Sequence, residues 1–145
     1  MKIKVQLLND MAKMPTKGSP FSAGWDLYAC LYEDVVIKPH ETKLIQTGLA
    51  IVPPKNHFGA IFARSGLATK QGLRPANCVG VCDEDYRGEY MVALHNDSEV
   101  PRTIHNWDRI AQLTFIKYKR KLKWIQCESL DSTKRGSGGF GSTGG

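Results

Sequence analysis

Nowhere in the 145 residues do about 18 apolar residues run together, so the chain has no segment able to cross a bilayer as a helix. Its opening, MKIKVQLLND, alternates apolar with polar residues and lacks the continuous apolar stretch of a signal peptide. The expectation is a cytoplasmic protein without a membrane partner. Cys30, Cys78, Cys82 and Cys127 show no CxxC spacing and no histidine at ligand distance, which argues against a zinc site and for reduced, mostly buried thiols. Helical periodicity is also missing, apart from a possible turn near SGLATKQG (65–72). There is no repeat, and the length fits one domain.

Short apolar or alternating runs fill the chain instead: IKVQLL, DLYAC, VVI, KLIQTGLAIV, HFGAIFA, CVGV, YMVAL, RIAQLTFIKY and LKWIQC, at about eight- to twelve-residue spacing with turn residues between them. This is an all-β pattern. It predicts a β-sandwich or jelly roll over 1–130, followed by a mobile arm over 131–145. Basic residues exceed acidic ones by 20 − 14 = 6, and KYKRKLKW (117–124) holds part of the excess. Read with period two, it places Ile116, Tyr118, Leu122 and Trp124 on one strand face and Lys117, Lys119, Lys121 and Lys123 on the other. That suits a solvated or edge strand better than a nucleic-acid patch.

Chemistry concentrates in four places. In NCVGVCDEDYRGEYMVALHN (77–96) a strand on each side of DEDYRG crowds Asp83, Glu84, Asp85, Tyr86 and Arg87 into one hairpin end, while Gly80 lets a flat ligand approach the backbone. FARSGLA (62–68) puts Arg64, Ser65 and Gly66 at a strand end, a cation, a hydroxyl and free amides that together suit a phosphate. In DRIAQL (108–113), strict alternation places Gln112 on the face of Ile110, opposite Arg109 and Leu113, where its amide needs a backbone or ligand partner. The end, TKRGSGGFGSTGG (133–145), has six glycines in 13 residues with Arg135 and Phe140 among them. Gly136 and Gly141 have the GxxxxG spacing of a phosphate loop, yet no lysine follows and no strand and helix flank it, so a Walker loop is excluded.

Taken together, AGWDLYA (23–29), ARSGLA (63–68), GVCDEDYRG (80–88), DRIAQL (108–113) and RGSGGFGSTG (135–144) resemble the five ordered motifs of the trimeric dUTPase family. The resemblance implies a jelly-roll (β-clip) homotrimer hydrolysing dUTP to dUMP and pyrophosphate, with sites shared between subunits and Mg²⁺ held by the triphosphate and waters. By position, Asp83 resembles the general base and Tyr86 the residue that packs on deoxyribose. Asn77 and the backbone at Gly80 would read uracil. Arg64, Ser65, Gly66 and Gln112 fall at the phosphates, and Asp26 where the family supports the metal–phosphate network. In the arm, Phe140 would stack on uracil while Arg135, Ser137, Gly141, Ser142 and Thr143 close over the phosphates. Trp25, Cys82 and Trp107 depart from the usual residues, the last standing where glycine commonly precedes DRIAQ; each bears on packing and subunit contacts.

Two alternatives carry different signatures. A dCTP deaminase of the related superfamily would release ammonia from dCTP. An RNA-binding module would use the basic strand and the glycine-rich tail and would lose affinity steeply with salt, but one tail arginine is poor material for it. No nucleic-acid partner is expected.

Overall fold

The computed structural model describes residues 2–140. Twelve or fewer residues of alternating character between breakers become strands here, beginning with β1 (Lys4–Leu7), β2 (Trp25–Tyr28), β3 (Val35–Ile37), β4 (Thr42–Ile45), β5 (Leu49–Val52) and β6 (His57–Phe62). After the helix α1 (Ser65–Gln71) come β7 (Leu73–Pro75), β8 (Val79–Cys82), β9 (Val92–Asn96), β10 (Arg102–Ile104) and β11 (Arg109–Lys117). All pairings between these strands are antiparallel. They form one four-stranded sheet in the order β2-β11-β6-β8, a three-stranded sheet β4-β9-β7, and the pairs β1-β5 and β10-β3. The all-β jelly-roll expectation holds.

The core follows from period two. Leu73, Val92, Leu94, Ile45, Leu49, Ile51, Ile61, Ile110 and Leu113 all turn inward to one buried cluster, joined by Leu27, Ile37 and Ile104. Neighbouring strands supply these alternate positions, so no single element has a core of its own. No helix is long and apolar enough to cross a membrane among the described residues.

Two local expectations need correction. SGLATKQ makes a seven-residue helix rather than a bare turn, closed by Gly72 at φ 68°, whose N–H donates to Ala68 and Leu67 carbonyls. The strand expected over KYKRKLKW (117–124), and the run LKWIQC (122–127) after it, do not form: β11 ends at Lys117, and Leu122, Trp124 and Ile125 are exposed. Alternation alone could not supply the neighbouring strand that a β segment needs for its backbone hydrogen bonds. Tyr118, expected on that strand, instead donates its N–H to the Asn56 carbonyl at 3.0 Å and packs edge-on against Phe58.

Trp107 sits at φ 68°, the left-handed conformation that glycine adopts freely. The indole offsets the strain within its own chain: Nε1 donates to the Met11 carbonyl at 2.9 Å, and the Lys13 ammonium lies 5.6 Å from the ring. The residue thus ties the N-terminal loop to the start of β11. Leu94, completely buried at the centre of the cluster, sets the fold's sensitivity. Leu94→Ala is expected to cost about 2–5 kcal/mol in urea-denaturation measurements without a change of fold, because the cavity relaxes only in part.

Candidate active site

Strand β11 alternates imperfectly. Its pairing with β2 shifts register between Arg109 and Ala111, so Ile110, Ala111 and Leu113 are all buried while Arg109 and Gln112 come out on one side. This corrects the strict alternation read from DRIAQL: Gln112 does not share a face with Ile110. A bulge re-aims side chains in this way, and nothing in a local sequence pattern marks it.

The exposed side of that strand closes a cleft of about 430 Å³, lined among others by Gly24, Asp26, Arg64, Ser65, Gly66 and Gln112. Five sequence-predicted residues therefore meet in one place. Asp26, on β2, organises them. Its Oδ1 accepts from Arg64 Nε at 2.8 Å and its Oδ2 from Arg109 Nη1 at 3.3 Å. Arg64 Nη1 also donates to the Arg109 carbonyl at 3.2 Å, leaving its Nη2 donors for an anion. Gln112 Nε2 donates to the Ala63 carbonyl at 2.9 Å, and its second N–H remains. Gly24 is needed here because a Cβ would collide with the Gln112 side chain. A Cβ on Gly66 would meet nothing within 4 Å, so its missing side chain keeps backbone open rather than relieving a contact inside the chain. Arg109 and Lys70 also line the cleft and were missed from sequence, Arg109 because alternation assigned it to the other face.

The carboxylate turn lies elsewhere, and it does not cap a hairpin as the sequence suggested: β8 pairs with β6 while β9 pairs with β4 and β7, so the segment between them joins two sheets. The β6–β8 register sets Gly59 opposite Cys82 and Phe62 opposite Val79, so Asp83 lies beyond one end of the pair and Arg64 beyond the other. Asp83 continues to the level of Phe58, and at about 3.3 Å per residue it is on the order of 20 Å from Arg64 along the pair. Asp83 shares its own cleft, of about 770 Å³, with Lys55, Glu84, Asp85, Arg87, Tyr118 and Arg120, and the two clefts have no lining residue in common.

Of the three clustered carboxylates, Glu84 is structurally committed. Its Oε2 accepts from the Asn56 N–H and the Tyr118 hydroxyl, both at 3.0 Å. Burial pushes the Glu84 carboxyl up, but those two hydrogen bonds, with Arg120 and Lys55 nearby, outweigh it and hold the group below its ordinary value. Arg87 makes no ion pair with these carboxylates among the described residues; its Nη1 donates to the Glu84 and Tyr86 carbonyls at 2.8 Å and pins the turn. Asp83 and Asp85 are exposed. Tyr86 is 42% exposed, with its hydroxyl on the Glu89 carbonyl at 3.1 Å.

At the other end of β8 Asn77 and Gly80 meet, since a Cβ on Gly80 would lie 3.3 Å from Asn77 Nδ2 and 3.1 Å from Ile61 Cβ. Gly80 is therefore fixed by close approach to β6. In the arm, Arg135 Nε donates to the Gly138 carbonyl at 2.9 Å, and Ser137 and Phe140 are exposed. Gly141, Ser142 and Thr143 lie outside the described residues.

The dUTPase family model matches residues 10–144. The chain belongs to the dUTPase family. It is 45% identical over 143 residues to the deoxyuridine 5'-triphosphate nucleotidohydrolase of Candida albicans, covering 98% of this chain and 87% of that one. The protein of the same name from Rickettsia bellii is also 45% identical, with 98% and 95% covered. Among solved structures, a mutant dUTPase of Staphylococcus bacteriophage 80alpha with dUpNHpp superposes with a TM-score of 0.89 at 27% identity, covering 99% of this chain and 98% of that one.

The dUTPase site carries a chemical contrast that thiol labelling reads. Burial pushes the Cys82 thiol up to about 11, and Cys30 is buried, whereas Cys78 and Cys127 are exposed. At pH 8 a chromogenic disulfide is expected to titrate Cys78 and Cys127 rapidly and Cys30 and Cys82 only after unfolding; because thiolate is the attacking species, rapid labelling of Cys82 would contradict its placement.

Proposed function

We propose that this chain hydrolyses dUTP to dUMP and pyrophosphate, with water attacking the α-phosphorus and Asp83 receiving its proton. Family membership supports the reaction, and one observation supports how it is organised. In a single chain the anion-binding cleft and the Asp83 loop are separate, on the order of 20 Å apart along the β6–β8 pair. A nucleotide held by Arg64, Ser65, Gly66 and Gln112 lies out of reach of the same chain's Asp83, while a neighbouring copy could bring its own Asp83 to those phosphates. This favours an oligomer with shared sites, and the family resemblance makes it a homotrimer. The exposed apolar residues Leu122, Trp124, Ile125 and Leu130 agree with a chain whose last segment is covered by another copy.

The roles follow from what each group has free. Asp83, unlike Glu84, is not tied by Tyr118 and the Asn56 N–H, so its carboxylate can orient water. Free guanidinium donors of Arg64, the Ser65 hydroxyl, the open backbone at Gly66 and the remaining Gln112 N–H would hold phosphate oxygens. Tyr86 would pack against deoxyribose, and the Asn77–Gly80 backbone would read the uracil edge, where fixed donors and acceptors reject cytosine. The arm from 131, with Arg135, Ser137 and Phe140 and the segment Gly141, Ser142 and Thr143, would close over the bound nucleotide and exclude water.

Among the described residues no three histidine, cysteine or carboxylate side chains converge as a metal cage. Both Asp26 oxygens already face guanidinium groups, so Asp26 fits a role in holding Arg64 better than direct ligation. Mg²⁺, when it arrives on the triphosphate, would supply charge neutralisation with phosphate and water oxygens as its ligands.

Purified protein with dUTP and Mg²⁺ is expected to release pyrophosphate, and Asp83→Asn to keep substrate binding but lower turnover about 10²–10⁴-fold, the range for a positioned base. Near-normal turnover in that variant would remove Asp83 from the role. Deleting 134–145 is expected to leave melting temperature and assembly mass nearly unchanged while severely lowering turnover. Co-expressing the deleted chain with Asp83→Asn chains should restore activity in mixed assemblies; mixed assemblies that form and remain inactive would show that the arm serves its own chain.

A further inference from the structure

Tyr90 carries no role in the chemistry above, yet it is 1% exposed and belongs to the same connection between β8 and β9 that bears Asp83 and Tyr86. Its backbone is pinned on both sides: the N–H donates to the Leu49 carbonyl at 2.8 Å, and its carbonyl accepts from Thr47 Oγ1 at 2.5 Å. Its ring centroid lies 6.1 Å from that of Tyr86, tilted by 36°. The phenol oxygen, in contrast, meets no strong hydrogen-bond partner among the described residues and has only the Cys82 thiol, a weak one, beside it. Packing therefore does most to fix the ring.

That packing is tight and depends on a glycine. A Cβ on Gly59 would lie 3.1 Å from Tyr90 Oη, 3.2 Å from Cε2 and 3.3 Å from Cys82 Cβ. Gly59 and Cys82 face each other across β6 and β8, so they floor a slot cut to the width of the Tyr90 ring. On the other side, Tyr86 is confined by its hydroxyl bond to Glu89 and by Gly88, where any side chain would collide with it. Tyr86 can shift toward Tyr90 only if Tyr90 shifts.

We propose that Tyr90 is a positioning residue for the sugar gate: its slotted ring fixes the tilt of Tyr86 and so sets how strongly the site rejects a 2′-hydroxyl. The inference rests on the dUTP-hydrolysing reading and adds the residue that tunes its sugar selectivity. A gate that discriminates sterically depends on placement within a fraction of an ångström, because a buried wall that yields admits the larger substrate.

The test is the ratio of kcat/KM for dUTP to that for UTP, measured on the full-length enzyme. A mutation that only lowers the folded fraction reduces both constants equally and leaves the ratio unchanged. Gly59→Ala, which crowds the phenol oxygen, is expected to lower the ratio at least about fivefold, and adding Tyr90→Phe, which removes the crowded atom, to return it to within about twofold of wild type. Tyr90→Val, which removes the ring, should lower it about tenfold or more. If dUTP is hydrolysed and both Gly59→Ala and Tyr90→Val leave the ratio within about twofold, the inference is overturned while the functional reading stands. A wild-type protein that does not hydrolyse dUTP overturns the reading and the inference together. Should Tyr90→Val fail to fold, the Gly59→Ala pair with its Tyr90→Phe rescue decides the matter.

Discussion

The register shift in β11 is the constraint on which the anion cleft depends. β11 is the central strand that pairs with β2 on one edge and β6 on the other, so its register fixes where Asp26 and Arg64 fall relative to each other. Without the shift, Arg109 and Gln112 would point to opposite faces, and one of them would enter the core. With it, Ile110, Ala111 and Leu113 fill the interior while both polar residues reach the same cleft. Asp26 then meets two guanidinium groups, and Gln112 reaches the Ala63 carbonyl just before Arg64. One extra residue on one strand therefore serves packing and chemistry together.

Most of the fold was legible because antiparallel strands with one buried face write their period into the sequence. Leu73, Val92 and Leu94 follow the rule and are buried as it requires. The rule failed where the backbone departs from regularity or where a partner is absent. The bulge at Arg109–Ala111 inverted the assignment of Gln112, and the alternating segment 117–124 has no strand beside it after Lys117 among the described residues. The site was legible as motifs rather than as geometry. Asp26, Arg64 and Gln112 are far apart in sequence and gave no local sign of their mutual hydrogen bonds. Glu84 illustrates the converse: three adjacent carboxylates look equivalent in DEDYRG, and only contacts with Asn56 and Tyr118 from distant segments separate a structural acid from a free one.

Several glycines matter here for what approaches them rather than for their flexibility. Gly24 admits Gln112, Gly80 admits Asn77 and Ile61, and Gly59 admits Tyr90. Each lacks a side chain where a neighbouring side chain approaches. This is a sequence signal, since glycine is otherwise unfavourable within a strand, but it names the place of close approach without naming the visitor.

Charge explains why the anion cleft can act without a metal cage of its own. Arg64, Lys70 and Arg109 bring three positive charges and Asp26 one negative, so the lining residues of opposite sign leave the cleft net positive. If both Asp26 oxygens were free, the carboxylate would repel phosphate; bound to Arg64 and Arg109, it orients the guanidinium donors instead. A triphosphate that carries one Mg²⁺ still retains about two negative charges, so it remains complementary to such a surface. A cage of carboxylates would make the same surface negative and weaken its hold on the phosphates. On the proposed reading, such a positive cleft directs its attraction to the phosphates rather than to the base or sugar.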